Sequence, residues 1–311
     1  MERVGSARPR PALGYAMTFV AASLLAVNGP VVKALLGSSG LSTMRLTELR
    51  TAGAAVFLVV VVAAIAPRRL RVSVREIPFF LLYGGVCFVL VSWLYFVAID
   101  RLPIGIAVPL QFTAPVLVAL WAMLVWRRPV RSTVWIALAL ALAGVLLVSR
   151  VWSGFELDGI GVAAAGGAAV ALAAYFLIGE RAVTQRDPLS LLALAFVFAA
   201  VVWAIAQPWW SFPFEALGGS ASLGGALAEI SLPAWVLVVL MVVPGTIVPF
   251  GLELYALRHL PATHVALVAM VEPVAAGVVG WAWLEESIGA VALVGVAVTL
   301  AGTTLAQTAR R

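Results

Sequence analysis

Ten long apolar segments alternate with short polar intervals along the chain, at approximately residues 12–36, 46–66, 77–99, 104–126, 132–150, 159–179, 189–206, 233–253, 262–284 and 288–307. A helix rising about 1.5 Å per residue needs about 20 apolar residues to cross a hydrocarbon core about 30 Å thick, and these segments are of that length. The intervals at 100–103 and 285–287 are so short that the helices flanking them must pack antiparallel. The pattern predicts an all-α polytopic membrane protein with ten transmembrane helices.

Two stretches of the pattern repeat. Leu102-Pro103 followed by Pro115 recurs as Leu260-Pro261 followed by Pro273, at a constant offset of 158 that also brings Ala98 onto Ala256 and Arg127-Arg128 onto Glu285-Glu286. This predicts a first repeat over residues 1–153 and a second over 154–311, each with five spans. Five is odd, so the second repeat must enter the membrane from the side opposite to the first, and the repeats are inverted. The polar intervals orient them. With the N-terminus in the cytoplasm, Arg3, Arg8 and Arg10, the cluster Arg68, Arg69, Arg71 and Arg75, the group Arg127, Arg128 and Arg131, and Arg310-Arg311 all fall inside, as the positive-inside rule requires. Arg150 is one of the few basic residues left outside. Both termini are expected to be cytoplasmic. The first apolar run continues to Leu36 without a convincing cleavage site and reads as an uncleaved span. The long exterior interval, about 207–232, carries Trp209, Trp210 and Phe212, which read as interface anchors.

Composition agrees with a bilayer protein: 311 residues, 63% hydrophobic, 11% charged, with a mean hydropathy of +1.09. A net charge of +6 raises nucleic acid as a partner, but the arginines sit at the ends of apolar runs and not on a basic face, so none is expected. Cys87 is the single cysteine, which excludes an intramolecular disulfide. His259 and His264 are five apart, without the spacing of a zinc helix, and neither a Walker loop nor a Gly-x-Ser-x-Gly elbow is present. The sequence offers no metal, no cofactor and no enzyme.

Polar residues deep in apolar runs are costly and therefore candidates for function. Glu272 is the deepest acid, about ten residues into its span, where a carboxyl can carry a proton, pair with a substrate amine, or hydrogen-bond between helices. Gln111 lies at similar depth in the matching helix. Arg50, five residues into the second span, either snorkels outward or holds an anionic group. Asn28, before Gly29 and Pro30, sits where the first helix is expected to break. Tyr95 and Tyr175 suit packing or a cavity equally. Pro30, Pro115 and Pro273 are expected helix breaks, tolerable where protein or a watery cavity satisfies the freed carbonyls. The small residues of 159–169 are expected to let helices approach closely. Glu253 and His264, near the cytoplasmic ends of their spans, read as solvated interface residues.

Five plus five spans, with the fourth and ninth introduced by Leu-Pro and carrying an internal proline, resemble the EamA family of the drug/metabolite transporter superfamily. The resemblance rests on YFVAIDRLPIGIAVPLQFTAPVLVALWAMLVWRR from Tyr95 to Arg128 and on YALRHLPATHVALVAMVEPVAAGVVGWAWLEE from Tyr255 to Glu286. Gln111 through Pro115, with Glu272-Pro273, is similar to the branch that includes threonine and homoserine exporters. That branch often has glutamate where this chain has Gln111. The resemblance implies a secondary transporter in a bacterial plasma membrane, exporting small metabolites such as amino acids by alternating access, with coupling to protons in view. Asn28, Arg50, Tyr95, Gln111, Tyr175 and Glu272 would line or control a midplane cavity. Two rival readings stand beside it: a lipid or lipid-carrier flippase, for which the Arg68–Arg75 cluster would be a headgroup patch, and a non-transporting scaffold, which needs no shared cavity.

Overall fold

The apolar runs fold as helices whose ends are set by caps and turns. A computed structural model describes residues 9–102, 104–148, 158–285 and 289–308. Pro103, Arg150, Glu286 and the terminal Arg3, Arg8, Arg310 and Arg311 lie outside the described residues. Helix α1 (Pro11–Ser39) stops at Gly40, whose φ of 66° is a left-handed conformation that suits glycine. Ser42, Asp158 and Asp187 cap α2 (Thr43–Ile65), α6 (Gly159–Gln185) and α7 (Pro188–Ala206) by accepting backbone N–H groups of their first turns. The others are α3 (Val74–Arg101), α4 (Ile104–Gln111, then Ala114–Leu124), α5 (Ser132–Val148), α8 (Ala234–Ala256), α9 (Ala262–Ala269, then Val271–Leu284) and α10 (Ala290–Thr308). Among the described residues, eight helices are long and apolar enough to cross a membrane; Ser132–Val148 and Ala290–Ala306 are shorter apolar helices.

The helices pair in a regular way. α2 packs on α7 and α5 on α10, while α1 packs on α8 and α9 and α6 packs on α3 and α4. Replacing each helix by the one five later maps this set of pairings onto itself. The α5–α10 seam is closed by glycines: a Cβ on Gly302 would come within 2.7 Å of the Ala141 nitrogen, and one on Gly295 within 2.7 Å of the Gly144 carbonyl oxygen. In lipid such contact between backbones replaces the hydrophobic drive that water would supply. In the small-residue run of α6, Gly161 and Gly167 meet Leu102 and Leu94, but Gly159 and Gly166 face open space.

Irregular backbone recurs at matching positions. α4 breaks at Phe112–Thr113 and α9 at Met270, so Pro115 and Pro273 each sit in the first turn of a new segment. Both helices then end on a non-glycine residue with positive φ, Arg127 at 51° and Glu285 at 58°, which are 158 positions apart. α3 and α8 each contain a π turn, Leu81–Phe88 and Val243–Ile247. In the second, Thr246 Oγ1 donates to the Met241 carbonyl at 2.8 Å, satisfying a group displaced from the regular ladder. Pro30 differs from expectation: α1 runs through it without interruption. One missing donor is tolerable there because Pro30 is buried among packed helices that hold the rod straight.

The interval 207–232 adds a feature outside the all-α expectation, a hairpin of β1 (Ser220–Ser222) and β2 (Ser231–Pro233), antiparallel with Ala221 opposite Leu232. Trp209, Phe212 and Phe214 do not spread as separate anchors but stack on one another, with ring centroids 5.2 and 4.8 Å apart along the series. Trp210 projects outward, 88% exposed, and Phe214 is also exposed.

Candidate functional site

Along α2, Thr43, Leu46, Thr47 and Arg50 fall at i, i+3, i+4 and i+7 and so occupy one helix face; α4 presents Val108, Gln111 and Phe112 up to its break, and Pro115 follows in the first turn of the next segment. Both sets line a single cavity of about 720 Å³, shared with α1, α3, α5, α6, α8 and α9. The cavity reaches the helix ends at Thr43 and Val148 and extends to Ala266 and Glu253. Its walls are mostly apolar, as ligand pockets generally are, with a few polar groups set among them.

Four of the six residues singled out in the sequence meet here: Arg50, Tyr95, Gln111 and Glu272. Glu272 follows the break at Met270 and precedes Pro273, so its carboxyl stands at the start of a helical segment that faces the cavity. Negative charge is favoured at such a helix start. Arg50 is within electrostatic reach of Glu272, and its Nη2 donates to Ser92 Oγ at 3.4 Å. The neighbouring acid, Glu48, is taken by Arg45 at 2.8 Å, which leaves Arg50 to the cavity. Pro115 and Pro273 also line the space, whereas Pro30 does not.

Tyr175 and Asn28 stand behind the wall. Tyr175 stacks on Tyr83, with centroids 5.8 Å apart and planes 8° from parallel, and its hydroxyl donates to Glu253 Oε2 at 3.1 Å. Asn28 is buried against Gly245 in the π turn of α8, where a Cβ would collide with its amide; its Oδ1 has no partner among the described residues.

Glu253 overturns the expectation of a solvated interface residue. It is 4% exposed and lines the cavity. α8 extends beyond it to Ala256, and α1, α6 and α7 pack over that end, so counting residues from the end of the apolar run understated its depth. The offset of 158 could have found it, because Glu253 falls on Tyr95. His264 is likewise not a free surface group: its Nδ1 lies 2.7 Å from the Tyr15 hydroxyl, joining α9 to α1.

Below the main cavity the helices close. A second, smaller space of about 300 Å³ lies among Trp126, Arg128, Glu180, Ala262 and His264. Glu180 pairs with Arg128 through one oxygen and accepts the Ala262 N–H, at the start of α9, through the other at 2.8 Å. The guanidinium groups of Arg128 and Arg181 each lie 4.6 Å from the centroid of Trp126. These contacts tie the ends of α4 and α6 to the start of α9.

Comparison with known proteins matches this architecture to one family. The EamA-like transporter family model matches residues 12–150 and again 159–308. The threonine/homoserine exporter RhtA of Escherichia coli (strain K12) is 30% identical over 269 residues, covering 86% of this chain and 81% of that protein. RhtA of Salmonella typhimurium (strain LT2) is 30% identical over 290 residues, covering 91% and 88%. An uncharacterised transporter of Bacillus subtilis, YwfM, is 24% identical over 234 residues, 73% of each chain. A solved protein crystal structure superposes with a TM-score of 0.74 at 15% identity, covering 96% of this chain and 97% of that one, a likeness of fold alone.

Proposed function

This chain belongs to the EamA-like transporter family of the drug/metabolite transporter superfamily, and we propose that it is a secondary active exporter of small amino acids, driven by proton exchange. It is an integral membrane protein and a transporter, not an enzyme. The observation that carries the narrower reading is the presence of one guanidinium, Arg50, and two carboxylates, Glu272 and Glu253, in the wall of one cavity that is mostly apolar. An α-amino acid presents a carboxylate and an ammonium in fixed proximity. Arg50 offers the planar donor array that suits the first, and the glutamates offer acceptors for the second. The threonine and homoserine named for the RhtA relatives are small molecules of this type.

In this reading the ten helices all span the membrane as two inverted repeats, 1–153 and 154–311, with both termini in the cytoplasm of a bacterial cell. The self-mapping helix pairings support the repeat, as do the breaks and left-handed ends that recur 158 residues apart. The arginine-rich intervals support the orientation. With that orientation the cavity opens outward and the Arg128–Glu180 contacts close the cytoplasmic side, one of the two states that alternating access requires. A non-transporting scaffold has no use for a cavity into which ionisable groups of α2, α8 and α9 converge.

The decisive measurement is counterflow of radiolabelled threonine in proteoliposomes, with wild type and Glu272→Gln side by side. Wild type is expected to exchange threonine, and the variant, lacking the acceptor charge for the ammonium, to do so at least about 30-fold less efficiently, as truncation of one partner in a desolvated charge pair implies. Equal exchange by both proteins would remove Glu272 from the substrate site.

A further inference from the structure

Two carboxylates and one guanidinium line the cavity, and they are not equivalent. Glu272 has Arg50 within electrostatic reach. Glu253 is held differently: α6 supplies Tyr175, the sole hydrogen-bond donor to its carboxyl among the described residues, and the rings of Phe88, Phe196 and Phe250 stack around that tyrosine. The charged and titratable groups facing Glu253 from neighbouring helices are Tyr83 on α3, Tyr175 on α6 and Glu272 on α9. On α2, Arg50 faces Glu272 and Glu48 is paired with Arg45; α7 meets this region with apolar residues, its cap Asp187 facing Tyr255 farther down α8. No cation pairs with Glu253 among the described residues. A lone carboxylate in such surroundings is costly, and the cost is removed by a proton or by a cation that enters with the substrate.

We infer that Glu253, hydrogen-bonded by Tyr175, is the proton-exchange site of this transporter, while Arg50 and Glu272 hold the substrate. The inference rests on the amino-acid transport reading above. In the empty cavity Arg50 neutralises Glu272, and Glu253 keeps a proton on its carboxyl. When an amino acid enters, its carboxylate takes Arg50 and its ammonium lies between Glu272 and Glu253. The ammonium now supplies the positive charge that the proton supplied, the O–H bond of Glu253 breaks, and the proton leaves to cavity water. Release of the amino acid outside reverses the exchange, and a proton from the outer medium returns to Glu253. One proton moves inward for each amino acid moved outward, with no other reactant.

The test separates exchange from coupling in proteoliposomes. Threonine counterflow runs without a gradient; accumulation of threonine driven by an imposed pH gradient needs coupling. Glu253→Gln is expected to lose gradient-driven accumulation completely and to make whatever counterflow remains independent of pH. It should also lose the release of about one proton per protein that threonine causes in lightly buffered wild-type protein. Tyr175→Phe, which keeps the carboxyl and removes one hydrogen bond, is expected to keep both activities and to alter the pH at which accumulation is half maximal. Gradient-driven accumulation surviving in Glu253→Gln would overturn the inference, as would counterflow in that variant that keeps the wild-type dependence on pH. A pH profile unchanged in Tyr175→Phe would overturn it even if Glu253→Gln could not be purified. Absence of threonine counterflow in wild type would be a different failure, that of the transport reading itself.

Discussion

In the proposed transport reading, Arg50 is the side chain on which recognition of the substrate carboxylate turns. Its neighbours prepare it: Arg45 occupies Glu48, so the guanidinium one turn further along α2 is not spent on a local pair, and Ser92 holds its edge. A guanidinium binds a carboxylate through two parallel N–H groups, whereas an ammonium can offer only a point charge. Arg50→Ala is therefore expected to raise the half-saturating threonine concentration by about 30-fold or more, in line with about 2–5 kcal/mol for one member of a desolvated charge pair. Arg50→Lys should recover only part of that loss. The chemical control is an amine without a carboxylate, such as 1-amino-2-propanol, as a competitor of threonine uptake. Its weak inhibition should be the same in wild type and Arg50→Ala, since it never used the guanidinium. A variant that lost both ligands equally would speak for collapse of the cavity instead of loss of an anchor.

At the scale of the helix, the most specific feature is the left-handed ending of α4 and α9. Arg127 and Glu285 adopt a positive φ that costs a residue with a Cβ about 1–2 kcal/mol and costs glycine little. The ending is nevertheless found in both helices, where the Arg128 N–H returns to the Ala122 carbonyl at 2.9 Å and the Glu285 N–H to the Gly280 carbonyl. Arg127→Gly is expected to stabilise the purified protein by about 1 kcal/mol, seen as a higher midpoint for thermal unfolding in detergent, with transport unchanged. A lower midpoint would mean that the Arg127 side chain contributes more than its backbone costs. The helices themselves were legible in the sequence, since each needed only a long enough apolar run, and the breaks before Pro115 and Pro273 were legible because proline removes a donor wherever it stands. Glu253, the straight passage of α1 through Pro30 and the β1–β2 hairpin were not. Each of these depends on what packs against the segment: α1, α6 and α7 over Glu253, neighbouring helices around Pro30, and a second strand beside Ala221. The site was half legible for the same reason. Arg50, Gln111 and Glu272 were conspicuous as polar residues in apolar runs, but which of them share a cavity, and that Tyr175 reaches it only through Glu253, are facts of helix packing.

For the whole molecule the question is which side the cavity serves, and the contacts below it give a handle on the answer. Cys87 is buried, so a cysteine introduced elsewhere can be read against a quiet background. Ala276 is exposed in the cavity wall, and Arg75 lies on the opposite, arginine-rich side. In intact cells Ala276→Cys is expected to react with a membrane-impermeant maleimide, with threonine slowing the reaction, whereas Arg75→Cys should react only after permeabilisation. The closed side then predicts a population shift. Glu180 holds two partners at once, Arg128 and the Ala262 N–H, and in the proposed alternating access both bonds part when the cytoplasmic side opens. An exposed ion pair alone contributes about 1 kcal/mol or less, but a carboxylate that also accepts a helix-start N–H gains a further charge-assisted bond of about 1.5–3 kcal/mol. Replacing Glu180 by alanine in the Ala276→Cys background removes both from the outward-open state and leaves the inward-open state, where they are already broken, unaffected. A loss of about 1.4 kcal/mol is tenfold in that equilibrium, so if the two states are near balance, the outward-open fraction falls from about one half to about one eleventh and labelling of Ala276→Cys from outside should slow by about fivefold or more. Unaltered labelling would place the cytoplasmic closure in other contacts, with the Tyr15–His264 pair between α1 and α9 the next to remove.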